Sequence, residues 1–300
     1  MVFHSLIQSA HKQSYDYPVI QISVSSRDAC LLKINKSIFL NFQPRFPLSP
    51  RYRGFSGEKF FMSGISLYLL GEIPTRGKIM KIIGINGSPK REKSQTRRLV
   101  MGVLEGARQA GANITFIDLC SLDIKYCTAC GTCYAKGECI HDDDFPMLLE
   151  KLLDADGIVW GSPNYINSVT AQLKTMFDRM ADSIHCQSLA GKYGCAVSTA
   201  GGSMADEVAD YMNSTMMNLG ATTVGKVAVL VGADPNAIVP AEKQAKELGR
   251  KLADAIRTKW KDPSQEKHHA ERKEYFKRLV MFNKDLWKHE YDYWKGLGEL

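Results

Sequence analysis

The sequence predicts an α/β fold, a doubly wound five-stranded parallel sheet with a C-terminal helical extension. From Met80 onward, short apolar runs alternate with segments whose apolar residues recur at helical spacing. The runs lack the polar alternation of a half-exposed strand, which indicates strands buried on both faces of a parallel sheet. Loops rich in Gly and Ser follow several of the runs. At 300 residues, the chain is long enough to bury a sizeable core.

The predicted strands and helices alternate from residue 80 to about 260. The strands are predicted at residues 81–86, 113–119, 157–161, 193–199 and 226–231. The helices are predicted at residues 94–110, 144–154, 168–184, 203–219 and 240–258. Helix-connected strands of this kind fit the sheet order 2-1-3-4-5, in which ligands bind beyond the carboxyl ends of the strands.

The chain changes character at Met80. Residues 1–79 are rich in Ser, Arg and Pro, show no sustained helical or strand period, and lack the features of a signal peptide. We interpret them as a poorly ordered or non-native extension and hypothesise that Met80 is the biological start. Codons for Arg76 to Lys78 can spell the purine-rich tract of a bacterial ribosome-binding site. The alternative is a genuine N-terminal extension, which mass spectrometry of the native protein would reveal.

Charge and cysteine content narrow the possible environments and partners. The net charge is +7, but residues 1–79 hold 10 Lys and Arg against 4 Asp and Glu, whereas the rest holds 29 against 28. The near-neutral body does not favour nucleic-acid binding. No apolar run of about 18 residues predicts a membrane span. Eight cysteines are too few for a disulfide scaffold in a chain this long and suit a reducing cytosol, so we expect a cytoplasmic protein.

Four cysteines form the most informative motif. Cys127, Cys130, Cys133 and Cys139 make a C-x2-C-x2-C-x5-C array inside a loop predicted at residues 120–143. Such spacing lets one loop surround a single metal centre, and four thiolates suit a [4Fe–4S] cluster or a zinc ion. We favour the cluster because closely spaced C-x2-C-x2-C runs are commoner in cluster loops than in zinc sites. Zinc, a disulfide pair or unbound thiols remain the alternatives.

Three loops are predicted to meet at the carboxyl edge of the sheet. In the first, hydroxyl and amide side chains at a helix start predict an anion site for a phosphate, the alternative being a serine-capped helix without a ligand. The residues of that loop are Ser88, Ser94, Gln95 and Thr96. The second and third loops offer a rigid turn, an aromatic face and a close approach of the backbone to a flat ring. Their residues are Pro163, Asn164, Tyr165 and Ile166, and Ala200, Gly201 and Gly202.

These loops carry a resemblance to a known family. The order Gly-Ser-Pro-Lys…Ser-Gln-Thr, then Gly-Ser-Pro-Asn-Tyr…Ala-Gln-Leu-Lys…Asp-Arg, then Ala-Gly-Gly resembles the NADPH-dependent FMN reductase branch of flavodoxin-like proteins. With the cysteine array between the first two loops, the chain more closely resembles the iron–sulfur flavoproteins of anaerobic archaea and bacteria. The likeness runs from Met80 to the C-terminus. One departure is the pair Ser94-Gln95, where the family often has Gly-Asn; both pairs can present N–H donors.

The resemblance implies the cofactors and the activity. FMN would place its phosphate on the first loop and its ring against the second and third, and a [4Fe–4S] cluster would occupy the four cysteines. The implied activity is an oxidoreductase that couples two-electron flavin chemistry to one-electron transfer, without an indispensable acid–base side chain. The implied partners are NAD(P)H or a ferredoxin-like protein as donor, a small-molecule acceptor, and further copies of the chain in a homo-oligomer. The alternatives are a cluster-free NAD(P)H-dependent FMN or quinone reductase and a non-enzymatic flavodoxin-like carrier.

The C-terminal tail is predicted to be helical. Residues 261–300 are charged and aromatic, and the aromatic residues from Phe276 to Trp294 fall near helical spacing. We expect an amphipathic helix that packs on a neighbouring subunit or across its own domain.

Overall fold

The computed structural model describes residues 21–26, 29–34, 38–42 and 79–300. The first three segments are antiparallel strands that pair in chain order, β1 (Gln21–Ser26), β2 (Ala29–Ile34) and β3 (Ile38–Phe42). The rest of the predicted extension at residues 1–79 lies outside the described residues, except for Ile79. Whether the cell translates this segment stays a prediction.

A separate five-stranded sheet forms the second unit of the chain. Its strands are β4 (Lys81–Asn86), β5 (Asn113–Asp118), β6 (Gly157–Pro163), β7 (Tyr193–Ala200) and β8 (Thr222–Leu230). All are parallel and lie in the order β5-β4-β6-β7-β8. Numbered within this unit the order is 2-1-3-4-5, which confirms the predicted fold class.

The last strand begins earlier than predicted. It starts at Thr222 rather than at residue 226. The prediction places the start too late because two threonines and a glycine precede the apolar run of the strand. Gly225 has φ +144°, and the pairing register with β7 shifts nearby. A pattern of apolar residues therefore does not predict the first half of this strand.

Helices cover both faces of the sheet. The helices that do so are α1 (Gln95–Gln109), α3 (Phe145–Asp154), α4 (Ala171–Arg179), α6 (Ala205–Asn218) and α7 (Ile238–Thr258). Two short helices, α2 (Thr132–Lys136) and α5 (Ala181–His185), pack on other helices. One buried cluster lies under α1 and α7, and the other under α3, α4 and α6. A Cβ at Gly249 would lie 1.9 Å from the carbonyl oxygen of Val103, so this glycine allows α1 and α7 to cross closely.

The predicted helix at residues 168–184 is two helices. Thr170 caps α4, since its hydroxyl accepts a hydrogen bond from Leu173 N at 3.3 Å, and the residues before it stay in a loop. The backbone leaves helical geometry at Met180, and α5 follows directly. This break places α5 beside the tail.

The tail also forms two helices instead of one. They are α8 (Pro263–Phe282) and α9 (Lys288–Gly296). The side-chain amide of Asn283 donates to the Leu279 carbonyl at 2.9 Å and so ends α8. Phe276, Val280 and Trp294 are buried against the same chain. None of the helices in the described part of the chain is long and apolar enough to cross a membrane.

Candidate functional site

The three predicted loops meet at the carboxyl edge of the sheet. The backbone N–H of Gly87 donates to the Gly161 carbonyl at 2.8 Å, and the Thr170 hydroxyl donates to the Gly87 carbonyl at 2.7 Å. The backbone N–H of Asn164 donates to the Thr199 carbonyl at 2.8 Å. The loops after β4, β6 and β7 therefore form one connected surface, at the place where doubly wound folds bind ligands.

The hydroxyls of the first loop are buried and keep protons to donate. Ser94 caps α1 and accepts from Arg97 N at 3.1 Å, and Ser88 accepts weakly from Lys90 N at 3.4 Å. In both bonds the serine oxygen is the acceptor, so its O–H remains available to an anion. Ser88 and Ser94 are each only 2 % exposed. The loop thus fits a phosphate held by donors that the fold already fixes.

Thr96 joins the first loop to the third. Its Oγ1 lies 2.7 Å from Oγ1 of Thr199 at the end of β7, and both side chains are buried. One hydroxyl donates to the other, and the second proton stays available. Gln95, half-buried at the first position of α1, accepts from Arg98 at 2.9 Å. The first backbone N–H groups of a helix have no intrahelical acceptor and point toward such a site.

The second loop ends in a tight turn with an unusual backbone. Tyr165 and Ser168 exchange two backbone hydrogen bonds of 2.9 and 3.2 Å. Between them Ile166 and Asn167 have φ +50° and +61°. A β-branched residue rarely adopts positive φ, so Ile166 is strained. Its side chain is 98 % exposed and that of Tyr165 is 44 % exposed, which leaves both free to contact a ring.

Asn164 and the third loop complete the ring end of the site. The Asn164 amide donates to the Ser203 carbonyl at 2.8 Å, whereas its Oδ1 is buried and has no hydrogen-bond partner in the described residues. Added Cβ atoms at Gly201 and Gly202 would meet nothing within 4 Å. An unmet amide acceptor and a third loop with room beside its glycines fit a flat ligand that carries N–H donors, as a flavin ring does. Pro163 ends β6 and Ala200 ends β7 at the same edge.

The four predicted metal ligands line a single pocket. Cys127, Cys130, Cys133 and Cys139 surround it together with His141 and Arg179. The loop turns through Ala129 and Gly131, with φ +54° and +72°, into the short helix α2. The seven cysteines whose side chains are described are free thiols. The chain therefore brings the array together as the spacing predicts.

The sulfur atoms of the four cysteines are more widely spaced than the ligands of a tetrahedral zinc ion. Four thiolates at about 2.3 Å from one zinc lie about 3.8 Å apart. Within residues 79–300, however, no three of these sulfur atoms lie within 4.8 Å of one another. Four thiols and the imidazole of His141 line the pocket, and thiolates suit both iron–sulfur and zinc chemistry. The residues present thus fit a metal centre held mainly by thiolates.

Hydrogen bonds and burial tune the thiols differently. The Thr132 hydroxyl, 3.3 Å from Cys130 Sγ, lowers the pKa of that thiol. Cys127 Sγ accepts from the backbone N–H of Ala129 at 3.4 Å. Burial raises the pKa of Cys133 to about 11, and nearby Asp182 adds to the effect. Polar groups close to sulfur are a general means by which proteins adjust the properties of metal-bound thiolates.

A buried cation stands beside the pocket. Arg179, at the end of α4, pairs with Asp143 at 2.6 Å, and neither side chain is exposed. It also donates to the Lys125 carbonyl at 2.8 Å and lies over the Phe145 ring at 4.6 Å. Burial alone would lower the pKa of Arg179, but hydrogen bonds to Asp143 and Cys139 outweigh burial and raise it. A cation at this place would offset the negative charge of thiolate ligands.

Sequence reasoning gave Arg179 and Asp143 no role. A signal for Arg179 existed, because it falls three residues after Met176 on the apolar face of α4. A charged residue at a core position of an amphipathic helix indicates a buried partner. Asp143, one of three successive aspartates in the loop, has no comparable signal.

The tail covers the cysteine loop of its own chain. The Tyr134 ring in α2 lies 4.9 Å from the rings of Trp287 and His185. A Cβ at Gly137 would lie 2.5 Å from Nδ1 of His289, so only glycine lets α9 approach this closely. Of the two packing arrangements predicted for the tail, the described residues adopt the one within a single chain.

Comparisons with known proteins agree with this site. Residues 80–236 match the model of the NADPH-dependent FMN reductase family. An iron–sulfur flavoprotein of Archaeoglobus fulgidus is 36 % identical over 73 % of this chain and 99 % of its own length. An iron–sulfur flavoprotein of Methanocaldococcus jannaschii is 41 % identical over 33 % of this chain and 51 % of its own length. One of Clostridioides difficile is 27 % identical over 61 % and 83 %.

The match to the family model covers more than half of the chain, and the Archaeoglobus relative aligns over nearly its whole length. The five parallel strands, the three loops and the cysteine pocket lie within the region that matches the family model. The chain is an oxidoreductase of the NADPH-dependent FMN reductase family and belongs, within it, to the iron–sulfur flavoproteins.

Proposed function

We propose that the protein binds FMN at the carboxyl edge of the sheet and a [4Fe–4S] cluster on the cysteine loop, and that it converts two-electron into one-electron transfer. The flavin supplies chemistry in which electrons move in pairs or singly, and the cluster exchanges one electron at a time. Ser88, Ser94, Gln95 and Thr96 hold the phosphate. The ring lies against two short segments, Pro163 to Ile166 and Ala200 to Gly202.

The observation that carries the proposal is the position of α4. At its start, Thr170 binds the phosphate loop through Gly87, and at its end Arg179 contacts Cys139. The helix has nine residues and is therefore roughly 14 Å long at 1.5 Å per residue. One rigid element thus links both sites, which supports electron exchange between them.

The protein contributes binding, orientation and electrostatics. The Thr96–Thr199 pair fixes the first loop against the third, and the Asn164 amide fixes the second loop against Ser203. Arg179, the Ala129 N–H that donates to Cys127 and the Thr132 hydroxyl beside Cys130 would stabilise negative charge on sulfur. No side chain is assigned an acid–base role, since the cofactors carry the chemistry.

We further propose NAD(P)H or a ferredoxin-like protein as electron donor and a small molecule as acceptor, in the cytoplasm. The family supports a nicotinamide donor. The exposed thiols Cys127 and Cys130 support direct exchange with a redox protein. A homo-oligomer would bring the cluster of one chain near the flavin of another.

The decisive experiment is metal and flavin analysis of the anaerobically purified full-length chain. We expect about four irons, four sulfides and one FMN per chain. Cys133→Ala should lose iron and keep FMN, whereas the control Cys195→Ala, in the buried strand β7, should keep both. FMN without iron would favour a cluster-free NAD(P)H-dependent reductase. Absence of flavin would contradict the assignment of all three loops.

A further inference from the structure

A second group of ligating side chains lies outside both sites, where α5 meets α9. We propose that Asp182, Cys186 and His289 form a binding site for one divalent transition-metal ion, zinc in the first instance. The site would fasten the tail to the core. It involves none of the four clustered cysteines and no flavin-loop residue, so it stands independently of the proposed function.

The geometry assembles three ligand types in one place. The carboxylate oxygen, the sulfur and an imidazole nitrogen all lie within 4.8 Å of one another. Asp182 lies in α5 and Cys186 is the C-cap residue directly after it, so the two are four residues apart and share one face. His289 comes from the first turn of α9, more than 100 residues later. The tertiary fold, rather than local spacing, brings them together.

The separation between Asp182 and His289 suits a shared ion better than a direct bond. His289 Nε2 lies 3.7 Å from Asp182 Oδ1, which is too long for a hydrogen bond. Nitrogen and oxygen ligands at about 2.0–2.1 Å from a tetrahedral zinc lie about 3.4 Å apart. A shift of a few tenths of an ångström would therefore complete the coordination.

The carboxylate also lacks what an ion would provide. Asp182 Oδ1 is buried and has no hydrogen-bond partner among the described residues. A buried carboxylate oxygen without a partner is costly. Cys186 is 2 % exposed, whereas the His289 side chain is 35 % exposed, so the thiol side of the site is dry and the imidazole side reaches solvent. A divalent cation would satisfy both groups together.

The ligand set identifies the class of metal. One thiolate, one imidazole and one carboxylate match the borderline-soft preference of zinc, and three protein ligands leave a fourth position for water. Calcium and magnesium prefer oxygen ligands. The Nδ1 side of the His289 ring lies close to Gly137, and Nε2 is the ring nitrogen 3.7 Å from Asp182 Oδ1. Nε2 is therefore the ligand atom.

The test measures zinc in the full-length protein under two conditions that remove competition from the cluster loop. In one, the cluster is loaded anaerobically before zinc is added. In the other, the four cluster cysteines are replaced by serine. After desalting, we expect about one zinc per chain in both. The matched variants are Asp182→Asn, Cys186→Ala and His289→Gln, with Cys195→Ala as the buried-thiol control.

Each ligand variant should weaken zinc binding by more than the roughly 10- to 100-fold seen when only an outer-shell partner is removed. The control should bind normally. Cobalt should give thiolate-to-metal charge-transfer absorption that Cys186→Ala abolishes and Cys195→Ala retains. A zinc content below roughly 0.1 per chain in folded protein would be background and would overturn the proposal. Unchanged zinc binding in His289→Gln would also overturn the proposal. Because His289 is partly exposed, this variant remains informative if Cys186→Ala does not fold.

Discussion

Arg179 and Asp143 form an ion pair in which both side chains are wholly buried, with Nη1 and Oδ2 2.6 Å apart. The pair joins the end of α4 to the segment after the cysteine array. Asp143 also accepts from the backbone N–H groups of Lys125 and Phe145 at 2.9 and 3.1 Å. This single carboxylate therefore fixes both ends of the cysteine loop against the core.

Removal of the Asp143 charge should destabilise the protein strongly. Asp143→Asn leaves a buried guanidinium without its counterion, and we expect the free energy of unfolding to fall by about 3–5 kcal/mol. Urea denaturation measures the change. The control Asp178→Asn breaks the ion pair between Asp178 and Lys174, two side chains that are each about half exposed. We expect it to lower the free energy of unfolding by less than about 1 kcal/mol. Equal losses in the two variants would contradict the role of burial.

The same carboxylate predicts a pH dependence. Burial alone would raise the pKa of Asp143, but hydrogen bonds from Arg179, Lys125 and Phe145 outweigh it and lower the pKa to about 2. A pKa lowered by folding gives stability that is complete above the unfolded value of about 3.9 and is lost below it. The stability difference between wild type and Asp143→Asn should therefore shrink as the pH falls from about 4 to 2. A difference that is constant over this range would contradict the prediction.

The Thr96–Thr199 contact should matter for flavin affinity. Thr96→Val removes one hydroxyl of a buried pair and one donor near the phosphate, so we expect the FMN dissociation constant to rise about tenfold. Quenching of flavin fluorescence gives the constant. Thr115→Val, the same change on an exposed strand position, is the control. Lower stability with unchanged affinity would assign Thr96 a structural role only.

Ile166, in the strained turn between Tyr165 and Ser168, should lower the stability of the protein but strengthen flavin binding. Ile166→Gly relieves a positive φ of +50° without a loss of buried surface, so the melting temperature should stay equal or rise. Flavin affinity should fall if the exposed side chain contacts the ring. Asn167→Gly relieves φ in the same turn and should leave affinity unchanged. Identical affinity in both variants would remove Ile166 from the ring site.

Thr132 should control the reactivity of Cys130 before any cluster is present. The hydroxyl lowers the pKa of this thiol, and Thr132→Val should raise it again. Alkylation of Cys130 near pH 7 should then slow, because the thiolate is the reactive form. Peptide mapping by mass spectrometry measures the rate, and Cys127 in the same spectra serves as the internal control. An unchanged rate at Cys130 would show that the backbone donors alone set its pKa.

Much of this molecule follows from local sequence, and the remainder depends on distant contacts. Buried parallel strands read as apolar runs, so strand order and the three loops were predictable. Thr199 and Thr170 were not, because their hydroxyls bond residues 103 and 83 positions away. The break in the tail was missed because Asn283 ends α8 through a side-chain bond that hydrophobic periodicity does not report.

The contact between Gly137 and His289 also bears on the order of events during biosynthesis. A ribosome completes the cysteine loop long before it makes α9, and domains fold as their residues emerge. Until the last helix docks, the loop lacks its aromatic cover from Trp287 and its contact with His289. The cysteine loop would thus be more accessible in the nascent chain than in the folded protein, and docking of α9 would complete its packing.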